Sequence, residues 1–145
     1  MANSHLVILK KPYLKMIVEG RKRIELRLSR TRQHGFGRVL PGDRLFLKIS
    51  AGPVCAMATA GDVKNFENLT PESVLELKRR YNHDIGGGDE HWQNKIDCKF
   101  CFLVWLTDVR TIEPVRINKK DWRAWVVLTE KENFGLTEMD GFEWV

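Results

Sequence analysis

Apolar residues in this chain fall into short blocks separated by turn signals, the spacing expected of a small strand-rich barrel with a few short helices. Leu6-Val7-Ile8-Leu9 reads as the first strand. Lys11 to Glu19 then places Pro12 at an early helical position and Leu14, Ile17 and Val18 on one side, predicting a short amphipathic helix that stops in a left-handed turn at Gly20. From Arg21 the pattern switches to period two. Lys22, Ile24, Leu26 and Leu28 share one face of the predicted strand, and Arg21, Arg23, Glu25 and Arg27 share the other. Ser29 to Arg38 is a basic loop whose Gly35 and Gly37 permit close backbone approach to a ligand.

Pro41-Gly42-Asp43 forms a turn into Arg44 to Ile49, a strand whose incomplete alternation predicts one solvated side. Ala51-Gly52-Pro53 breaks the chain before a small-residue strand from Val54 to Ala60, suited to crowded barrel packing. Thr70 caps the next helix, with Pro71 at its start, Glu72 in its first turn and Val74, Leu77 and Tyr81 on one face. Asn82 to Asp89, with three consecutive glycines, reads as a flexible connection. It lacks the Gly-Lys-Ser or Gly-Lys-Thr of a phosphate loop. Phe100 to Ile112 is a long strand ended by Pro114, with Trp105 in its apolar core, and Asp121 to Leu128 places Trp122 and Trp125 around Arg123. Phe142 and Trp144 decorate the tail.

Composition narrows this picture. The 145 residues are 43% hydrophobic, enough for one domain with a real core, and no apolar run reaches the length of a membrane span or follows a signal-peptide pattern. The expectation is a soluble, cytoplasmic protein without a membrane partner. Cys55, Cys98 and Cys101 are too few for a disulfide framework. The lone pair at 98 and 101 lies three apart at a strand, pointing to opposite faces, so free core thiols are expected and no metal or cofactor is called for.

The net charge of +5 is concentrated in the first third: between Lys10 and Lys48, twelve basic residues face only Glu19, Glu25 and Asp43. Such a block suits a polyanion, most simply a nucleic acid. Arg21, Lys22, Arg27, Arg30, Arg32 and Arg38 are the candidate phosphate contacts, and Trp122, flanked by Lys119, Lys120 and Arg123, is the candidate stacking ring. Lys22 on an apolar face has two roles open to it. Dehydration would lower its pKa and suit it to catalysis, whereas snorkelling would leave its ammonium in water.

The order strand, helix, Gly20-x-Lys22-x-x-Glu25-x-Arg27, Gly42-Asp43 turn and strand resembles the ASCH family, with the match strongest in the first half and extending to about Ile112. That resemblance implies an α+β, PUA-like mixed or antiparallel β-barrel with two or more flanking short helices. Residues 1–145 then form a single domain, a core of about 5–112 followed by a subgroup extension. It also implies a cleft lined by the motif residues, with RNA, single-stranded or structured, as partner and a modified nucleoside as the alternative ligand. Family members include amidohydrolases that remove the acyl group of 4-acetylcytidine with the motif lysine, a threonine three positions on and a distant glutamate. Here the lysine is Lys22 and the threonine position holds Glu25, a carboxylate that cannot serve as that hydroxyl. A hydrolytic alternative uses Glu25 to activate water, Lys22 or Arg27 to stabilise the oxyanion and Asp89 or Glu90 to handle a proton; a ribonuclease alternative uses His34 or His91 as base. The hydrolytic arrangement needs Lys22 beside Glu25 and so requires a bulge or strand end, because regular alternation separates the two.

Overall fold

The computed structural model describes residues 3–136, so the tail aromatics Phe142 and Trp144 lie outside the described residues. Its elements follow one another as β1 (Ser4–Leu9), α1 (Lys11–Val18), β2 (Ile24–Ser29), β3 (Arg44–Ile49), β4 (Val54–Phe66), α2 (Pro71–Ile85), α3 (Asp89–Asn94), β5 (Phe100–Val115) and β6 (Trp125–Val127). The strands form one mixed sheet in the order β2-β5-β4-β3-β1-β6. Only the β1–β3 pair is parallel. Register shifts at three points along β4–β5 and one along β3–β4 add local twist, and the sheet curls into a half-barrel.

Local chemistry sets the helices where the sequence places them. Pro12 is the second residue of α1, and Gly20 past its end has φ +79. In α2 the Thr70 side chain accepts from the Ser73 amide while the Ser73 hydroxyl accepts from the Thr70 amide, a reciprocal cap. This helix extends past Tyr81 to Ile85, and the glycine run after it is pinned instead of loose. The Asn82 side chain donates to Gly87 O (2.8 Å) and accepts from Gly87 N (2.9 Å) and Trp92 Nε1 (2.9 Å).

The curled sheet buries apolar groups on both faces. Inside lie Val7, Leu9, Leu45, Leu47, Phe102 and Trp125, with Leu14 and Ile17 of α1 plugging the space and Ala56, Ala58 and Ala60 keeping β4 thin enough for the curve. On the other face, Ile24, Leu26 and Leu28 pack under α2 and Trp92, while Leu6, Phe46 and Met57 meet Val126, Leu128 and Leu136. The expectation of a solvated side for β3 is thereby corrected: Leu45, Phe46 and Leu47 are all buried, because residues 126–136 cover the face that its sequence leaves ambiguous. Val18 is 43% exposed and drops out of the predicted apolar face of α1. Trp105, expected in the core, is half-buried at its edge, packed against Tyr81 with Lys64 over both rings.

A half-barrel has an open seam, and here it runs between β2 at one end of the sheet and β1 and β6 at the other. Arg27 spans it. Its guanidinium donates from β2 to Ile8 O (2.9 Å) and Ala124 O (3.3 Å), while Ile8 N bonds the same Ala124 carbonyl (3.0 Å). Trp125 lies beneath the guanidinium, 5.3 Å from its ring centroid, and meets Phe102 edge-on at 5.1 Å. The indole N–H donates to His5 Nδ1 (3.1 Å). An indole nitrogen can only donate, so Nδ1 is the acceptor, and Nε2 carries the proton that it donates to Asp43 Oδ2 (2.8 Å). Asp43 in turn accepts from the Asn3 and Leu40 amides, both at 3.0 Å, which locks the Pro41-Gly42 turn to β1. Of the two glycines of the basic loop, Gly35 serves this floor as well: a Cβ there would lie 2.7 Å from Phe102 Cζ and 2.9 Å from Trp125 Cδ1, whereas one on Gly37 would meet nothing within 4 Å. The close approach of Gly35 is to the protein's own rings.

Two outcomes follow from this frame. Replacing Arg27 with alanine strips the buried Glu25 of its main cation and should lower unfolding free energy by about 3–5 kcal/mol in urea denaturation. Burial holds His5 below its ordinary value despite its bond to Asp43, so the unfolded chain takes up this proton first. Stability contributed by neutral His5 is therefore present above about pH 6.5 and is lost as pH falls through that value toward the folded one. Denaturation midpoints between pH 8 and pH 5 should fall more steeply for the native chain than for His5→Gln, and parallel curves would exclude His5 as the group responsible.

Candidate functional site

The residues between α1 and β2 take a path that strand alternation does not describe. The Arg21 and Lys22 amides both bond Met16 O (2.9 and 3.1 Å), closing the helix end, and the Arg23 amide bonds Asp84 O (2.7 Å), so β2 begins only at Ile24. Lys22 therefore lies outside the strand. The predicted separation of Lys22 from Glu25 is corrected: the strand's start re-aims the lysine, and its ammonium stands 3.5 Å from Glu25 Oε1. Glu25 and Arg27, two apart within β2, share a face as alternation requires, with Arg27 Nη2 donating to Glu25 Oε2 at 2.8 Å.

Lys22, Glu25 and Arg27 form a chain of three charges at the bottom of the seam. Lys22 is 4% exposed and Glu25 5%, so neither ammonium nor carboxylate is hydrated as a surface group would be. Protein groups stand in for the water. Lys22 Nζ donates to Ile85 O (2.7 Å), one of the carbonyls that the end of α2 leaves without a helical partner, and lies 5.4 Å from the centre of the Tyr13 ring. Glu25 Oε1 also accepts from the Leu26 amide (3.1 Å). Burial lowers the Lys22 pKa, with Glu25 partly restoring it. For Glu25, burial pushes upward, but the charges of Arg27 and Lys22 and the bonds to its oxygens prevail and hold the carboxyl below its usual range.

Above these charges opens a cleft of about 680 Å³, within the size range of ligand pockets. Tyr13, Phe102 and Trp125 give it aromatic walls, and Ser29, Thr31 and Gln33 give it neutral polar ones. Lys10, Arg30 and Lys95 stand around it with His34 and His91, whereas Glu25 is the one carboxylate among the described lining residues. Lys10 and Lys95 form no ion pair among the described residues. His91 is held below its ordinary value by burial first, then by the charges of Lys95 and Lys22, which keeps it neutral near pH 7.

The remaining sequence candidates divide. Arg30 lines the cleft but is forked onto Asp97, with Nε and Nη2 each at 2.9 Å. Arg32 bonds Glu67 (3.0 Å) and rests against the Phe36 and Phe100 rings, and Arg21 pairs with Glu19 on the surface. Arg38 is exposed and lies outside the cleft lining, and Trp122 is fully exposed on the loop before β6. Neither Asp89 nor Glu90 lines the cleft, and Asp89 bonds Lys78 instead (2.8 Å). The proton-handling carboxylate of the hydrolytic alternative is thus not brought to the Lys22–Glu25 pair. Both candidate histidines are. Sequence reasoning assigned no cleft role to Tyr13, Lys10, Lys95 or the Ile85 carbonyl; Tyr13 directly follows the readable Pro12 and Lys10 stands two residues before it, whereas nothing local marks Lys95 or Ile85.

The ASCH domain model matches residues 7–145. The crystal structure of the ASCH protein from Zymomonas mobilis superposes with a TM-score of 0.71 at 16% identity, covering 94% of each chain. A serine-to-alanine mutant of that protein gives 0.70 at 18% identity over 93% of this chain and 94% of the other. At these identities the likeness concerns the fold. No curated protein sequence matches the chain. With the family model running along the chain from Val7 onward and the same PUA-like half-barrel in both bacterial structures, the protein belongs to the ASCH domain family.

Proposed function

We propose that this ASCH protein binds RNA, seating one nucleotide in the seam cleft. The observation that carries this reading is the buried Lys22–Glu25–Arg27 chain, which carries one net positive charge, lies at the base of a pocket with aromatic walls and is surrounded by Lys10, Arg30 and Lys95. Burying three charges is costly, and a hydrophobic substitute of similar volume is often as stable. A site that reads polar edges and attracts phosphate gives a reason to keep them. Both neutral and charged features fit one nucleotide: the partly exposed Tyr13 ring for a base to stack on, hydroxyls and an amide at Ser29, Thr31 and Gln33 for its sugar, and unpaired ammonium groups for its phosphates.

Hydrolysis of a modified nucleoside is a second reading, favoured by the convergence of Lys22 and Glu25. It meets a specific difficulty. A general base works best with a pKa near the working pH, and Glu25 is held in the opposite direction. Lys22 is the group shifted toward the useful range, so a reaction in this cleft would depend on the lysine.

Titrating a fluorescent single-stranded RNA at several salt concentrations checks the binding reading. Affinity should fall linearly on a log–log plot, and Lys10→Ala with Lys95→Ala should reduce the slope by about two while weakening all RNA sequences alike. Salt-independent binding would count against it. Including a 4-acylated cytidine in the same samples tests the second reading: turnover in the native chain that disappears in Lys22→Ala would establish it, and turnover unchanged by that substitution would remove Lys22 from the chemistry.

A further inference from the structure

The loop entering β6 carries a large ring that neither the core nor the cleft uses. Trp122 is 100% exposed, although a tryptophan ordinarily contributes to a protein by burying 150–250 Å². Its loop is nonetheless firmly held. The Asp121 carboxylate accepts from the Arg123 amide (3.0 Å), Arg123 Nε (3.0 Å) and Nη2 (2.8 Å), and Lys119 Nζ (3.0 Å), whose ammonium also reaches Asp121 O (2.7 Å). Arg123 then forks onto Glu132 at 2.8 and 2.9 Å. These bonds tie down the residues on either side of Trp122 and leave its indole in water.

The chain fixes where this indole stands. Ala124, two residues on, lines the cleft and gives its carbonyl to Arg27. Two trans peptide units separate the Cα atoms of Trp122 and Ala124 by at most about 7.6 Å, so Trp122 springs from the rim of the seam. Among the described residues, the other large exposed apolar side chains are Val18, Leu40 and Leu75, none of them in this loop. A lone flat ring among charged residues suits a flat partner rather than the contiguous apolar surface of a protein. Lys119 and Arg123 are engaged with Asp121 and Glu132, while Lys120 is exposed and has no ion pair among the described residues.

We propose that Trp122 is the stacking platform for a second nucleobase, belonging to the residue next to the one held in the cleft, so that the ligand is a single-stranded RNA segment rather than an isolated nucleotide. Lys120 supplies positive charge beside the phosphate joining the two. The inference rests on the cleft reading above and adds a second subsite to it.

Fluorescence anisotropy with 5′-fluorescein-labelled octauridylate, and with uridine monophosphate as competitor, tests the two readings separately. Trp122→Ala should weaken the octanucleotide about tenfold, Trp122→Phe should retain most of the affinity, and the monophosphate should compete equally well in all three proteins. An octanucleotide with abasic sites should bind native protein and Trp122→Ala alike. Undiminished octauridylate binding by Trp122→Ala overturns the second subsite while leaving the cleft reading intact. Equal weakening of octanucleotide and monophosphate also overturns it, by placing Trp122 within the first subsite. Failure of the native protein to bind either ligand overturns both readings.

Discussion

One guanidinium stands where two ends of the sheet come closest without pairing. Strands β2 and β1 belong to opposite ends of the same curled surface, and no backbone ladder joins them. Arg27 supplies the missing bonds through Ile8 O and Ala124 O, compensates the buried Glu25 carboxylate and covers the Trp125 ring. A lysine could not reproduce this, because a planar fork reaches several acceptors at once whereas an ammonium acts as a point charge. The concave face depends on that fork for its width, its floor and its charge.

Beneath it the polar interior is organised in two tiers. The upper tier of Lys22, Glu25 and Arg27 is charged, and the described residues leave no buried side-chain polar atom without a partner. The lower tier of Trp125, His5 and Asp43 is joined to it by the Trp125 ring, which faces Arg27 while its N–H engages His5. Burial holds His5 toward its neutral form, and in that form Nδ1 is the acceptor that the indole N–H requires. A charged cleft thus rests on a floor held by a neutral histidine, and the Pro41-Gly42-Asp43 turn fixes that histidine from below.

Much of this was legible from local chemistry. Pro12, Gly20, Thr70 and Pro41-Gly42 each mark an element boundary through their own backbone requirements, and each stands where such a requirement arises. What escaped reading depends on residues distant in sequence. The start of β2 is decided by Arg23 bonding Asp84 O, and the position of the Lys22 ammonium by the Ile85 carbonyl. The burial of the second face of β3, the one that carries Phe46, is decided by Val126, Leu128 and Leu136. The motif residues themselves were visible in the sequence, but their convergence is tertiary. Alternation alone predicts the opposite geometry for Lys22 and Glu25.

Gly35 has a consequence for how such a sequence can drift. Its loop neighbours Thr31, Gln33 and His34 are exposed, so exchanges there meet little steric resistance. At position 35 even one methyl group would collide with Phe102 and Trp125. The restriction belongs to the trio rather than to glycine: space would have to open at both 102 and 125 before a larger side chain could be accepted at 35. Order of substitution, and not merely their number, governs which descendants of this loop can keep the floor of the cleft in place.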